Sequence, residues 1–271
     1  MISLLYLIPV FAIISAVVVY RLNGKREFLK LDLVQFFYAF ILSPVLFIWL
    51  KTFLFFLLRV EANFSLSIGQ LFIIDTVYSL FFLYVFAFVV IHSLTKSFNL
   101  KQTHDPLYDL FEHSEFFHLW LTHLIMYLGG MVLLTILGTL NIWFPLEVRV
   151  PESMFYILFA SGFLSGFLMF MIVWLSDPKQ ERANFMRVMK LSFGFFFLIH
   201  IVLYFVFSPP FSPALGLYWW SLNAFTALVI CSLFAYRSER ALSFFEKMSD
   251  YLKHHKWGDN IQLFNEKNRK N

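Results

Sequence analysis

His104, His113, His118 and His123 are interspersed with Asp105, Asp109, Glu112 and Glu115 in the stretch from His104 to Gly138, whose second half is apolar enough to cross a bilayer. Neutral imidazole ligates metals and titrates near physiological pH, and a neighbouring carboxylate can orient or deprotonate it. Such groups beside hydrocarbon are costly, so the cluster marks either a site or an interface. Two further ionisable residues fall inside apolar runs, His200 in LSFGFFFLIHIVLYFVF and Asp75 a few residues into FIIDTVYSL. Together with the cluster they would suit a proton or ion path through the membrane.

Helix geometry limits what the cluster can do alone. At 100° per residue Glu115, His118 and Thr122 share one face while Glu112, Phe116 and His123 share another, so a regular helix cannot aim His118 and His123 at one ion. A π-bulge near this point would bring them together; otherwise each needs partners from other helices. The alternative is a capping role at the lipid headgroups, for which Asp109 and His113 at i, i+4 are well placed. A membrane-embedded metalloenzyme using Glu115 and His118 as an E-x-x-H pair would need a second copy on another helix, and the sequence offers none.

The elements that must position these groups are set by composition. With 60% hydrophobic and 14% charged residues in 271, and 38 Phe, the chain has more apolar surface than a soluble core of this length hides. The apolar residues come in blocks near 20 residues long, the length a helix needs to span hydrocarbon. Seven such segments fall at about 1–20, 32–50, 70–92, 117–140, 154–175, 190–207 and 217–236, joined by short polar connectors rich in Pro, Gly and Asn. The fold class expected is therefore all-α, a polytopic membrane protein with seven transmembrane helices. The first segment has no basic leader or small-residue cleavage site and reads as a spanning helix. Residues 1–236 form the transmembrane domain and 237–271 a cytoplasmic amphipathic or polar tail. The tail carries Leu242, Phe245, Met248 and Leu252 at helical spacing and would lie on the inner membrane surface or extend into solvent.

Charge placement orients the bundle. Arg21, Lys25, Arg26, Lys30, Lys96, Lys101, Lys179, Arg182, Arg187 and Lys190 follow odd-numbered segments, and the tail adds Arg237, Arg240, Lys247, Lys253, Lys256, Lys267, Arg269 and Lys270. Only Lys51, Arg59 and Arg149 of the 21 basic residues fall elsewhere. The positive-inside rule then puts the N-terminus outside and the C-terminus in the cytoplasm. Lys51 and Arg59 would snorkel to the outer interface, and His92, at the inner end of the third segment, is expected at the membrane surface. Asp32 and the histidine cluster open segments two and four at the same cytoplasmic face.

Gly129, Gly130 and Gly138 in segment four, and the G-x-x-x-G of Gly162 and Gly166 in segment five, are expected to let helices approach closely. Cys231 stands alone in an apolar run, which excludes an intrachain disulfide and a cysteine metal cage. No feature points to nucleic acid.

Several short motifs resemble a known family. THDPLYD at 103–109 is similar to an H-x-P-x-x-Y-D motif with one residue fewer before the tyrosine, and His118 and His123 are similar to a following H-x-x-x-H pair with one residue more between them. DLVQFFYAFILSP, from Asp32 to Pro44, resembles an H-M-x-Q-H motif and downstream A-P, with Gln35 and Pro44 in register. SDP at 176–178 and GLYWW at 216–220 resemble later landmarks. These are features of the CtaG-type cytochrome c oxidase assembly factors, seven-helix bacterial membrane proteins, and the resemblance covers roughly 32–240. Asp32 and Phe36 stand where the family motif has histidines; of the two, only the carboxylate can ligate metal.

What the resemblance implies is a non-enzymatic accessory factor in the bacterial cytoplasmic membrane that helps assemble a haem-copper oxidase by handling copper or holding an oxidase subunit. Imidazoles at His104, His118 and His123 would carry the copper, with Met126 or Met131 as soft ligands and Asp32, Asp109 and Glu115 in support. The alternative from another class is a small proton or ion transporter using His200 and Asp75.

Overall fold

A computed structural model of the chain describes residues 5–22, 27–28, 31–61, 65–101, 121–146, 152–176, 185–237, 243–244, 247–248 and 251. Among them seven helices follow one another: α1 (Ile8–Leu22), α2 (33–61), α3 (Ile68–Lys101), α4 (His123–Trp143), α5 (Glu152–Ser176), α6 (Phe185–Phe207) and α7 (Gly216–Arg237). The only strands among the described residues are β1 (Glu27–Phe28) and β2 (Leu31–Asp32), a two-residue antiparallel ladder that pairs Glu27 with Asp32. Six of the helices are long and apolar enough to cross a bilayer. The first has 15 residues and spans ~22 Å at 1.5 Å per residue, less than the ~30 Å of hydrocarbon.

The surface agrees with a lipid environment. Phe11 of α1, Phe72 of α3, and Leu191 and Phe205 of α6 are each at least 66% exposed. Monomeric soluble proteins do not present apolar area on that scale. The chain is a multi-pass helical membrane protein.

Two of the helices end where local chemistry requires. Ser67 precedes α3 as half of a capping box: its backbone N–H donates to Gln70 Oε1 at 2.8 Å while the Gln70 N–H donates to Ser67 Oγ at 3.3 Å. Ser208 takes a φ of 43° just after α6, directly before Pro209 and Pro210, which could not continue the helix. Within α2 the turn Tyr38–Leu42 widens to π geometry, with the Ser43 N–H bonded to the Tyr38 carbonyl. Pro44 follows at once and lacks the N–H that a regular turn would use, and a wider turn relieves its ring of the carbonyl four residues back. A second π turn, Phe56–Glu61, closes this helix.

The second segment runs past its expected end at residue 50 because Lys51 finds a counter-charge: its Nζ is paired with Asp75 of α3 and donates to Ser79 Oγ at 3.0 Å. With the ammonium matched, the apolar run TFLFFLL continues the span.

Of the long apolar helices α4 and α7 are the most buried, α4 touching α2, α3, α6 and α7, and α7 touching α4, α5 and α6. The closest pairing is α5 on α7. A Cβ on Gly162 would come within 2.5 Å of the Trp220 carbonyl oxygen and one on Gly166 within 2.2 Å of the Ala224 oxygen, so the G-x-x-x-G stripe meets the α7 backbone directly. Gly129 and Gly138 also face close neighbours, Val85 and Ser221, whereas Gly130 has nothing within 4 Å and is not an interface glycine. Two apolar cores result. One gathers Tyr6, Trp49, Phe53, Leu133, Leu137 and Trp220, and the other Met131, Phe170, Phe185, Phe193, Phe196 and Phe225. Of the tail, Met248 packs against the second core.

Candidate functional site

The start of α2, the end of the apolar part of α3 and the start of α4 lie at the same end of the bundle, since consecutive helices alternate in direction. Polar side chains there are buried: Gln35 at 1%, His92 at 6%, Ser93 at 1%, Thr122 at 0% and His123 at 8% exposure. The His92 and His123 rings, 31 positions apart in sequence, face each other with centroids 4.6 Å apart and planes tilted by 50°. Thr122 Oγ1 lies 3.4 Å from His92 Nδ1. Tyr127, one turn further along α4, stacks on His123 at 5.9 Å, and Phe185 from the start of α6 closes on the same ring at 6.2 Å. Ser93 Oγ donates to the Val89 carbonyl at 3.0 Å and contacts that of Gln35 at 3.5 Å, tying α3 to the opening turn of α2. Gln35 Oε1 is buried with no hydrogen-bond partner, an unmet acceptor that costs stability unless something fills it.

Of the sequence-derived metal residues, His123 is in this cluster. His104, Asp109, Glu115 and His118 lie outside the described residues, as do Asp105, Glu112 and His113, and of Asp32 the backbone alone is described, in β2. Leu121 and Thr122 carry π-helical geometry immediately before His123; His118 lies outside the described residues. Phe36 packs its ring on Phe40 at 5.1 Å. Met131 belongs to the second apolar core, two turns and ~12 Å along α4 from His123, which removes it from that residue's ligand sphere. His92, expected at the membrane surface, is instead buried against His123.

Copper is the metal that the resemblance implies, and the donor chemistry can be tested against it. Imidazole suits copper, zinc and related ions, and two imidazole rings here come into contact with their planes tilted by 50°. Among the described residues no group of three or more His, Cys, Asp or Glu is arranged to hold a metal. The residues fit a two-imidazole contribution to a site.

The alternative pair is placed apart. His200 is fully buried on α6; its Nδ1 donates to the Phe196 carbonyl at 2.9 Å, so Nε2 accepts from Ser221 Oγ of α7, also at 2.9 Å. Asp75 is half-exposed on α3 and is satisfied by Lys51 of α2. Among the described residues no hydrogen bond joins these two sets. A serine hydroxyl on an imidazole is also the arrangement of a nucleophile and its base, but both side chains are fully buried with Gly138 packed against them, so the pair acts as a staple between helices.

Comparison with family models, curated proteins and solved structures finds no match to this chain.

Proposed function

We propose that this chain is a membrane accessory factor for assembling a haem-copper oxidase, handling copper at the cytoplasmic end of its bundle or holding a subunit there. It would cross the bacterial cytoplasmic membrane seven times, α1 included, with the N-terminus outside and the tail in the cytoplasm, as the distribution of Lys and Arg favours. The observation that carries the reading is the meeting of His123 with His92, whose neighbour Ser93 contacts the backbone carbonyl of Gln35, one of the residues in register with the family motif. What the chain supplies is ligand and scaffold: imidazoles that take the metal, Thr122 that orients one of them, and an aromatic wall of Tyr127 and Phe185 that excludes water. Copper, when bound, is cargo, and no turnover of a substrate is required.

The test is deletion of the gene in its host, followed by assay of haem-copper oxidase activity and of the copper content of the isolated oxidase. Loss of both, restored by the intact gene, is the expected result; an oxidase fully metallated and active in the deletion strain would refute the reading.

A further inference from the structure

The ion pair of Lys51 and Asp75 opens outward at the seam between α2 and α3. Lys51 stands seven positions before Leu58, where the apolar span of α2 ends, and Asp75 seven positions after Ile68, where that of α3 begins. Centring the 26-residue span Ile68–Ser93, ~39 Å long at 1.5 Å per residue, on ~30 Å of hydrocarbon puts Asp75 ~6 Å and Ser79 ~12 Å below the hydrocarbon edge. Lys51 Nζ bonds both, so its ammonium is held at that depth and does not snorkel to the interface. Charges at such a depth face a bundle interior or a water-filled cavity, yet Asp75 is half-exposed on the outside of this bundle. We propose that a second copy of the chain covers the pair, in a homodimer whose two-fold axis runs along the membrane normal at the α2–α3 seam. The inference is independent of the proposed function.

Charge complementarity selects the occupant. The pair is neutral as a whole, and because its two members lie at the same depth, the vector from Asp75 to Lys51 runs from α3 to α2 in the plane of the membrane. Two copies inserted in the same direction can face each other only through an axis along the normal, and that rotation reverses every in-plane vector. Lys51 of each copy then lies opposite Asp75 of the other, the self-matching pattern of an isologous interface. Among the described residues Lys51 is the one side chain that bonds the Asp75 carboxylate, and an ionised carboxylate has acceptor capacity for more than one donor. A purely apolar helix or a lipid tail would bury the pair without matching it, which is costly at low dielectric. The surroundings supply apolar contact: Ile48 and Phe55 lie on the Lys51 face of α2 and Phe72 and Leu83 on the Asp75 and Ser79 face of α3, all exposed in the single chain. With α6, α3 is the least buried of the long apolar helices.

The experiment measures association of the full chain in liposomes by energy transfer between labelled copies as the protein is diluted in lipid. Wild type is expected to dimerise, and the double variant Lys51→Met with Asp75→Asn to dimerise more weakly by roughly 5–30-fold, the range that polar contacts between membrane helices give. The exchanged variant, Lys51→Asp with Asp75→Lys, keeps both the internal pair and its match to a second copy, so its dimer is expected to persist. Because altered charges can disturb folding, the interface is also mapped with the pair intact: with Cys231→Ser as background, Phe72→Cys should form disulfide-linked dimers in membranes and Leu191→Cys, exposed on α6, should not. A wild-type chain that stays monomeric at every dilution overturns the proposal, whatever other membrane protein binds the seam. So does a double variant that associates as tightly as wild type, an exchanged variant as weak as the double variant, or cross-linking through Leu191→Cys in place of Phe72→Cys.

Discussion

His200 Nε2 and Ser221 Oγ lie 2.9 Å apart across the interface of α6 and α7, and Gly138 of α4 closes the third side, with a Cβ there falling 2.9 Å from the same hydroxyl. Three helices are therefore joined at one buried polar point. The Tyr218 hydroxyl adds to it, donating to the His200 carbonyl at 2.8 Å.

Removing one partner strands the other. Ser221→Ala leaves a buried imidazole nitrogen without its donor and is expected to lower stability by about 1–3 kcal/mol. Gly138→Ala forces a methyl group against the hydroxyl and is expected to cost a similar amount, about 1–3 kcal/mol for an overpacked site. In the double variant the methyl occupies the space the hydroxyl vacated, so the loss is smaller than the sum of the singles. Thermal unfolding in detergent reads all four corners of this cycle; strict additivity would show that the glycine and serine are not in contact.

The G-x-x-x-G stripe gives a sharper contrast between glycines. At Gly166 the obstacle to a side chain is the Ala224 carbonyl oxygen, part of a helix backbone that cannot rotate away. Gly166→Ala is expected to separate α5 from α7 and to destabilise by about 1–3 kcal/mol. Gly130→Ala, with open space around it, is expected to be neutral or slightly stabilising, since alanine is the better helix former by ~1 kcal/mol. Melting temperatures of the two variants should move in opposite directions or differ by several degrees; equal shifts would contradict the packing.

The ion pair of Lys51 and Asp75 is half open, with side-chain exposures of 27% and 50%, so its worth is modest, about 1 kcal/mol or less for an exposed pair in water. In an apolar setting an unmatched charge is worse than none. Lys51→Met and Asp75→Asn alone are each expected to lower expression and thermal stability more than the two together. If the double variant is the least stable, the pair contributes more than neutral side chains would and the desolvation argument fails.

The spans and connectors were largely legible because they are local properties of the sequence. The segments at 154–175, 190–207 and 217–236 match α5, α6 and α7 to within a few residues at most ends, and the glycine stripe of segment five meets α7 as its spacing implies. What was missed depended on partners distant in sequence. The second segment seemed to stop before Lys51 because its counter-charge is 24 positions later. His92 looked interfacial because nothing nearby in sequence explains its burial; the signal available was topological, that the end of one span and the start of the next share a membrane face. The unmet Gln35 oxygen is invisible to any pattern of residue types, since satisfaction is a property of geometry.

Asn141 tests the other end of the bundle. At the last turn of α4 its Oδ1 accepts the backbone N–H groups of both Leu217 and Tyr218 at 3.1 Å, and its Nδ2 donates to the Ala214 carbonyl at 3.0 Å. The first N–H groups of a helix have no partner within it, so the amide of one helix caps the start of another while fully buried itself. Asn141→Leu would leave two buried donors unmet and should cost about 1–3 kcal/mol for each, less whatever water can reach them. Asn141→Asp keeps the acceptor at the positive end of the α7 dipole but loses the bond to Ala214 and sets a carboxylate oxygen against that carbonyl at a buried site. Its unfolding should therefore fall between that of the wild type and the leucine variant, and hydrogen exchange at Leu217 and Tyr218 should accelerate in Asn141→Leu alone. An aspartate variant as unstable as the leucine variant would mean that the donor to Ala214, and not the cap on α7, is what Asn141 contributes.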